Sequence, residues 1–339
     1  MSSNNIFSNS AICRLLGIKY PILQAGMGQV AYGALTAAVS EAGGLGVIGA
    51  GANYLSAQEL LREIEIVRER TDKPFGVDIL FGRIESTDEG SHRYSAKTEE
   101  LIEVTLKERV PVLISGLGNP AAVIDRAHAA GATVMSVVGN VRQAQRVVAS
   151  GVDAVIASGH EGGGHVGRVG TISLIPAVVD AVDVPVVAGG GLADGRGLVA
   201  AMALGASAVW LGTRFIATHE ARGHDAYKDR IVDIDDDGTT VSRGHSGKPA
   251  RLIKNAFTAH WEEHGDEIHP FPQQLLEIGE PASVKGRLEG DIEDGVLPAG
   301  QSAAMIHEIK GAAEVVADIV AEAREVLRTM SSGPESLKS

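Results

Sequence analysis

The sequence predicts an α/β protein built as one (β/α)8 TIM barrel with an insertion subdomain between strand eight and the last helix. Three observations carry this reading. Eight short β-branched runs recur along the chain, and each is followed by a helix-sized segment. Their starts lie 23, 30, 36, 23, 21, 31 and 23 residues apart, the span that a strand, a crossover helix and two loops need when successive strands lie parallel. The length of 339 residues suits one barrel with an insertion, and 44% hydrophobic residues with only 4% aromatics supply a core of Val, Ile, Leu and Ala. An open doubly wound sheet would also alternate strands and helices, but eight evenly repeated units favour closure.

The strand runs are 21–27, 44–50, 74–80, 110–116, 133–139, 154–159, 185–191 and 208–215. The intervening segments read as helices on separate grounds. Ser56-Ala-Gln-Glu59 is a capping box, in which a hydroxyl and a carboxylate satisfy the exposed backbone donors of a helix start, and Leu60, Ile64 and Val67 then share one face. Residues 125–130 and 141–150 are short helical segments that end in Gly131 and Gly151, residues suited to a left-handed stop. After Phe215 the rhythm breaks. Residues 217–300 hold Gly/His/Asp-rich loops, a helical-looking stretch at 252–263 and the Pro-rich run His269-Pro-Phe-Pro272, and they are expected to form the insertion, a lid. Residues 301–329, with Met305, Ile309, Val316 and Val320 on one face, are expected to be the helix that closes the barrel, which then comprises 1–216 and 301–330. Residues 331–339 read as a disordered tail.

Charge and composition narrow the function. A formal net charge of −13 repels phosphate backbones, so a small-molecule partner is expected and nucleic acid is not. The run Asp233, Asp235, Asp236 and Asp237 lacks the ligand spacing of a calcium loop and reads as solvated. Cys13 is the single cysteine, which rules out an intrachain disulfide and a thiolate cluster. The first ten residues lack a secretory pattern, and no apolar run reaches membrane-spanning length, so a cytoplasmic protein with no membrane partner is expected. Oligomeric state is not legible.

In a closed barrel the active residues sit at the C-terminal ends of the strands, so the glycine-rich ends of strands one, six, seven and eight should converge. After strand six, Gly159-His-Glu-Gly-Gly-Gly-His-Val-Gly167 lets backbone approach a ligand and presents His165 as the titratable group, a candidate catalytic residue. A metal is not expected, because three glycines separate His160 and Glu161 from His165 and the histidines stand at i, i+5. Gly190, Gly191, Gly212 and Thr213, after strands seven and eight, form a candidate phosphate cradle of bare backbone N–H groups with one hydroxyl. Asp194 reads as a helix cap. Strand one ends in Gln24-Ala-Gly-Met-Gly-Gln29, where a flat ring can lie against small residues with Met27 facing it. Strand three ends at Asp78, an acid in an apolar run, expected to touch a ligand. The match of Gly44-Leu-Gly-Val-Ile-Gly49 to G-x-G-x-x-G falls within strand two and marks no dinucleotide site.

Together PILQAGMG, PFGVDIL, GHEGGGHVG, PVVAGGGLADGRG and LGTRF, in this order, resemble the nitronate monooxygenase family, formerly 2-nitropropane dioxygenases, and their relatives the FMN-dependent enoyl-ACP reductases. The likeness runs from about residue 14 to 216 and resumes at 251–255 and 300–303. It implies FMN as cofactor, held by Gly26 and Met27, by the strand-three polar residue (often Asn in relatives, Asp78 here), and by Gly189, Gly190, Gly191, Gly212 and Thr213. It also implies His165 as the catalytic histidine, with Glu161, Gly163 and Gly164 beside the substrate. The activity first implied is oxidation of alkyl nitronates by dioxygen. The alternative is an NAD(P)H-linked reductase or dehydrogenase of an enoyl or other acyl thioester on ACP or CoA; the basic residues of the insertion (Arg243, Lys248, Arg251, Lys254) read as a solvated surface or, in that case, as contacts to a nucleotide phosphate. A flavin-binding module without turnover is the third reading.

Overall fold

The computed structural model describes residues 7, 10–51, 55–81, 85–86 and 92–331, with backbone alone at 85–86 and 92–93. The eight expected strands form as β1 (Ile22–Gln24), β2 (Gly46–Gly49), β3 (Phe75–Leu80), β4 (Val112–Leu117), β5 (Thr133–Val138), β6 (Ala154–Ser158), β7 (Val186–Gly189) and β8 (Ala208–Leu211). From β2 onward each pairs in parallel with the next, and β8 pairs with β1. The remaining gap closes where Gln24 N donates to Leu45 O at 2.9 Å and Leu45 N to Ile22 O at 2.9 Å. An α/β TIM barrel results.

Two-residue periodicity divides its apolar side chains into two layers. Leu23, Val47, Ile114, Met135, Ile156 and Val187 fill the barrel, and Ile12, Cys13 and Leu16 of α1 (Ala11–Leu16) pack against that inner cluster. Ile22, Ile48, Val77, Leu113, Val155 and Val209 face outward onto the helices. Each fully buried aliphatic contributes about 1.5–3 kcal/mol, and truncating one such as Ile156 to Ala costs about 2–5 kcal/mol.

The outer ring is α2 (Gly33–Glu41), α3 (Ala57–Arg70), α4 (Ala96–Lys107), α5 (Ile124–Ala129), α6 (Val141–Ala149), α7 (Thr171–Val179) and α8 (Gly195–Ala203). Ser56 and Glu59 form the expected capping box on α3, and Asp194 caps α8 through Gly197 N. Gly131 and Gly151 adopt φ of +83° and +102° in the turns after α5 and α6.

The segment after β8 departs from expectation in two places. It runs through α9 (Thr213–Ile216), α10 (Asp225–Asp233), α11 (Ala256–Glu263) and α12 (Glu280–Leu288). The stretch 252–263 is not one helix, because Ala250–Ile253 is a strand paired with Thr239–Ser242, and Asn255 caps α11 only after it. Nor is 301–329 one helix. A single 3-10 element, Gln301–Met305, precedes a turn, and the closing helix α13 spans Ala312–Ser331. Lys310 N bonds Ala217 O at 3.4 Å between the two elements; Met305 stays exposed while Val316 and Val320 are buried. α13 packs on α8 and α2 and so closes the ring. Of the tail expected at 331–339, Ser331 instead ends α13, and residues 332–339 lie outside the described residues.

Candidate active site

A chamber of about 1210 Å3, counting its mouth, opens at the C-terminal ends of the strands. Of the residues singled out from sequence, Gly26, Met27, Gly163, Gly164, His165, Gly190, Gly191, Gly212 and Thr213 line it. Gly189, Asp78 and Glu161 do not.

Gly190 and Gly191 follow β7 with φ of +94° and +73°, a backbone only glycine adopts without strain. The N–H groups of both find no acceptor among the described residues. A Cβ on Gly190 would stand 2.9 Å from Gly159 O. Opposite, Gly212 caps the short α9, and Thr213 Oγ1 accepts from Gly300 N at 2.9 Å. This glycine pair, with unspent donors beside a helix start, has the chemistry of an anion cradle.

Asp78 sits on the inner face of β3, since Val77 and Ile79 belong to the outer layer. Its side chain occupies the space that missing Cβ atoms leave at Gly26 and Gly116: a Cβ would come to 2.3 Å from Asp78 Cβ at the first and 2.4 Å from Oδ1 at the second. The carboxyl is thus packed under the strand-one floor of the chamber. Burial pushes its pKa well above the usual carboxylate range, opposed by the Gly116 N–H, and Oδ1 has no hydrogen-bond partner among the described residues. Glu161 is turned away, its carboxylate capping α7 through Thr171 N at 2.9 and 3.0 Å and Thr171 Oγ1 at 3.0 Å. His160 is spent on Gly167 O at 2.8 Å. No group of three or more His, Cys, Asp or Glu able to hold a metal occurs among the described residues.

His165 is held more firmly than a glycine-rich loop suggests. Gly164–His165 is a two-residue strand that pairs antiparallel with the inserted strand Ala250–Ile253, His165 against Ala250. Ser246 Oγ shares a 2.8 Å hydrogen bond with Nε2, and Nδ1 has no partner among the described residues. Burial first, then the cations Lys248 and Arg287, pull its pKa down to about 4, so the ring is neutral at pH 7.

The insertion contributes chamber residues that lie outside the motifs singled out from sequence. His245 and Arg287 are buried and line the chamber, as does Tyr227, whose hydroxyl donates to Pro298 O. His245 lies 5.8 Å from His165, ring centre to ring centre, and burial, then Arg287 and His165, push its pKa well below the ordinary value. Arg287 Nη1 donates to Gly28 O at 3.1 Å, tying α12 to the loop after β1. Among the described residues no Asp or Glu lines the chamber. In a chain of net charge −13 this is a local basic enclosure, able to hold an anion and offer it a neutral imidazole. Gly244-His-Ser-Gly247 carried a signal, a glycine-bracketed histidine like that of the strand-six loop. Arg287, one basic residue among the solvent-facing charges of a helix, carried none.

A second cavity, about 1840 Å3 counting its mouth, adjoins the first across Ser158 and His165. It lies over the ends of β4 and β5.

Comparison with known proteins agrees with this geometry. The chain is 34% identical to the (3aS,4S,5R,7aS)-5-hydroxy-7a-methyl-1-oxo-octahydro-1H-indene-4-carboxyl-CoA dehydrogenase of Mycobacterium tuberculosis, covering 95% of this chain and 98% of the relative. It is 32% identical to a probable nitronate monooxygenase of Staphylococcus saprophyticus, over 94% and 99%. FabK from Thermotoga maritima superposes with a TM-score of 0.87 at 38% identity, over 96% of this chain and 99% of that one. The nitronate monooxygenase family model matches residues 9–322, and the chain belongs to that family of oxidoreductases.

Proposed function

We propose that the protein is an FMN-dependent oxidoreductase whose substrate is an enoyl or other acyl thioester, with NAD(P)H as redox partner. The observation that carries the substrate class is the second cavity. His165 stands at the junction of two chambers, one able to hold the cofactor and one able to hold the rest of a long substrate. A small alkyl nitronate leaves that second space unused. The carboxyl-CoA dehydrogenase among the relatives supports the same class.

The residues fit FMN. Gly190, Gly191 and the Gly212–Thr213 turn offer unspent N–H donors and a hydroxyl for the phosphate, and the small residues Ala25, Gly26 and Gly28 with Met27 form a floor for a flat ring. Asp78 supports that floor from below. When bound, FMN supplies the two-electron chemistry, and the protein supplies position and charge.

His165 presents Nδ1 to the substrate while Ser246 fixes Nε2. A neutral ring can donate a hydrogen bond to a thioester carbonyl from one tautomer and take or return a proton from the other. Arg287, buried in the chamber wall, stabilises negative charge that builds on that carbonyl. Residues 217–300 act as the lid, since they bring His245, Ser246 and Arg287 over the mouth.

Nitronate oxidation by dioxygen is the second reading. Its support is the basic chamber itself, which suits a small anion as well as an enolate. Anaerobic mixing separates the two. Bleaching of the flavin by NADPH or NADH, with recovery on adding an acyl thioester, supports the thioester; bleaching by an alkyl nitronate alone supports the oxidase.

A further inference from the structure

The second cavity has a composition of its own. Arg146 of α6 and Lys248 of the insertion line it with the amides Asn119, Asn140 and Gln143, and Phe271 forms part of its wall. The structure sorts the four basic residues of the insertion that sequence reading offered to a phosphate. Arg251 is spent on His160 O at 3.2 Å and Thr239 Oγ1 at 3.1 Å, Lys254 on Asp237 at 2.8 Å, and Arg243 on Gly247 O at 3.2 Å. Lys248 alone lines the cavity. Its ammonium stands 3.8 Å from the centre of the Phe271 ring, an aromatic face in place of a carboxylate. Neither Lys248 nor Arg146 has an acidic partner among the described residues, and no described Asp or Glu lines this cavity either. Two uncompensated cations, three amides and an aromatic face suit an extended arm that is part apolar, part amide, and phosphorylated at its end.

We infer that this cavity binds the phosphate-bearing nucleotide arm of a ligand whose reactive end lies at His165, with Arg146 and Lys248 as its phosphate contacts. The inference rests on the thioester reading above. Two sources share this chemistry: coenzyme A as thioester carrier, and the adenosine diphosphate half of a nicotinamide dinucleotide.

The test is calorimetry on the FMN-loaded protein with coenzyme A, with pantetheine, which has the arm without the nucleotide, and with NADPH. The expected result is that coenzyme A binds about tenfold tighter than pantetheine, and that Arg146→Ala and Lys248→Ala each weaken coenzyme A about tenfold and leave pantetheine unaltered. Lys107→Ala, a change of an exposed residue at the C-terminal end of α4, serves as control and should leave both affinities alone. If NADPH shows this dependence and coenzyme A does not, the cavity belongs to the reductant, and the phosphate assignment stands with that source. Both variants leaving both nucleotides unaffected overturns it, as does pantetheine binding as tightly as coenzyme A in a protein whose NADPH affinity depends on neither residue. The thioester reading fails by a different result, an enzyme-bound flavin that exchanges no electrons with any acyl thioester.

Discussion

The neutral state of His165 makes a quantitative prediction about acid stability. Its pKa is about 4 in the folded protein against an ordinary 6.5. The unfolded chain therefore takes up a proton as pH falls through about 6.5, whereas the native ring resists until about 4, so stability from this group is complete above 6.5 and declines with acid between those values. At pH 5 the loss from this residue is about 2 kcal/mol, and at pH 4 about 3 kcal/mol. The perturbation is His165→Gln, which keeps a polar side chain and removes the titration. Urea unfolding of wild type and variant at pH 7.5, 6, 5 and 4.5 should give a stability difference that shifts by about 2 kcal/mol in the variant's favour by pH 5. His245 titrates in both proteins and largely cancels. Parallel pH profiles would show that His165 is not held neutral by its surroundings, and the role given to its Nδ1 would fall with that.

Other consequences are read in different ways. Asp78 is raised above its ordinary value, so its contribution runs the opposite way: folding is penalised as pH rises past the unfolded carboxyl's range. Asp78→Asn should gain stability over wild type at pH 8 relative to pH 4, as measured by denaturation. Gly190→Ala places a Cβ 2.9 Å from Gly159 O at a φ of +94°, costing about 1–3 kcal/mol, and the purified protein should retain less FMN by absorbance. Arg287→Met removes a cation that depresses both histidines, so the His165 pKa followed by imidazole proton NMR should rise.

The legible parts of this molecule were those in which one residue's job is local. Each strand announced itself by a β-branched run, because a buried parallel strand needs little else, and the capping box at Ser56–Glu59 is complete within four residues. The glycines after β7 were legible because a left-handed turn admits few alternatives. Residues 252–263 misled because Leu252 and Ile253 fit a helical face as well as a strand, and pairing with residues 239–242 decides between them. Glu161 stood in a motif with His165 but spends its charge on the start of α7, a partner ten residues on that the motif does not name. His245 and Arg287 reach the chamber from an insertion 80 or more residues beyond His165, and no local pattern records a contact made by folding back across the barrel mouth.

The most direct test of the central claim is the anaerobic reoxidation of the photoreduced, FMN-loaded protein, followed by stopped-flow absorbance at the flavin band. With a panel of enoyl-CoA thioesters, at least one should restore the oxidised spectrum rapidly in wild type and much more slowly in His165→Ala, which should keep its FMN. A reduced flavin that no thioester reoxidises, in a protein whose oxidised form is bleached by an alkyl nitronate alone, would contradict the account and return the site to nitronate oxidation.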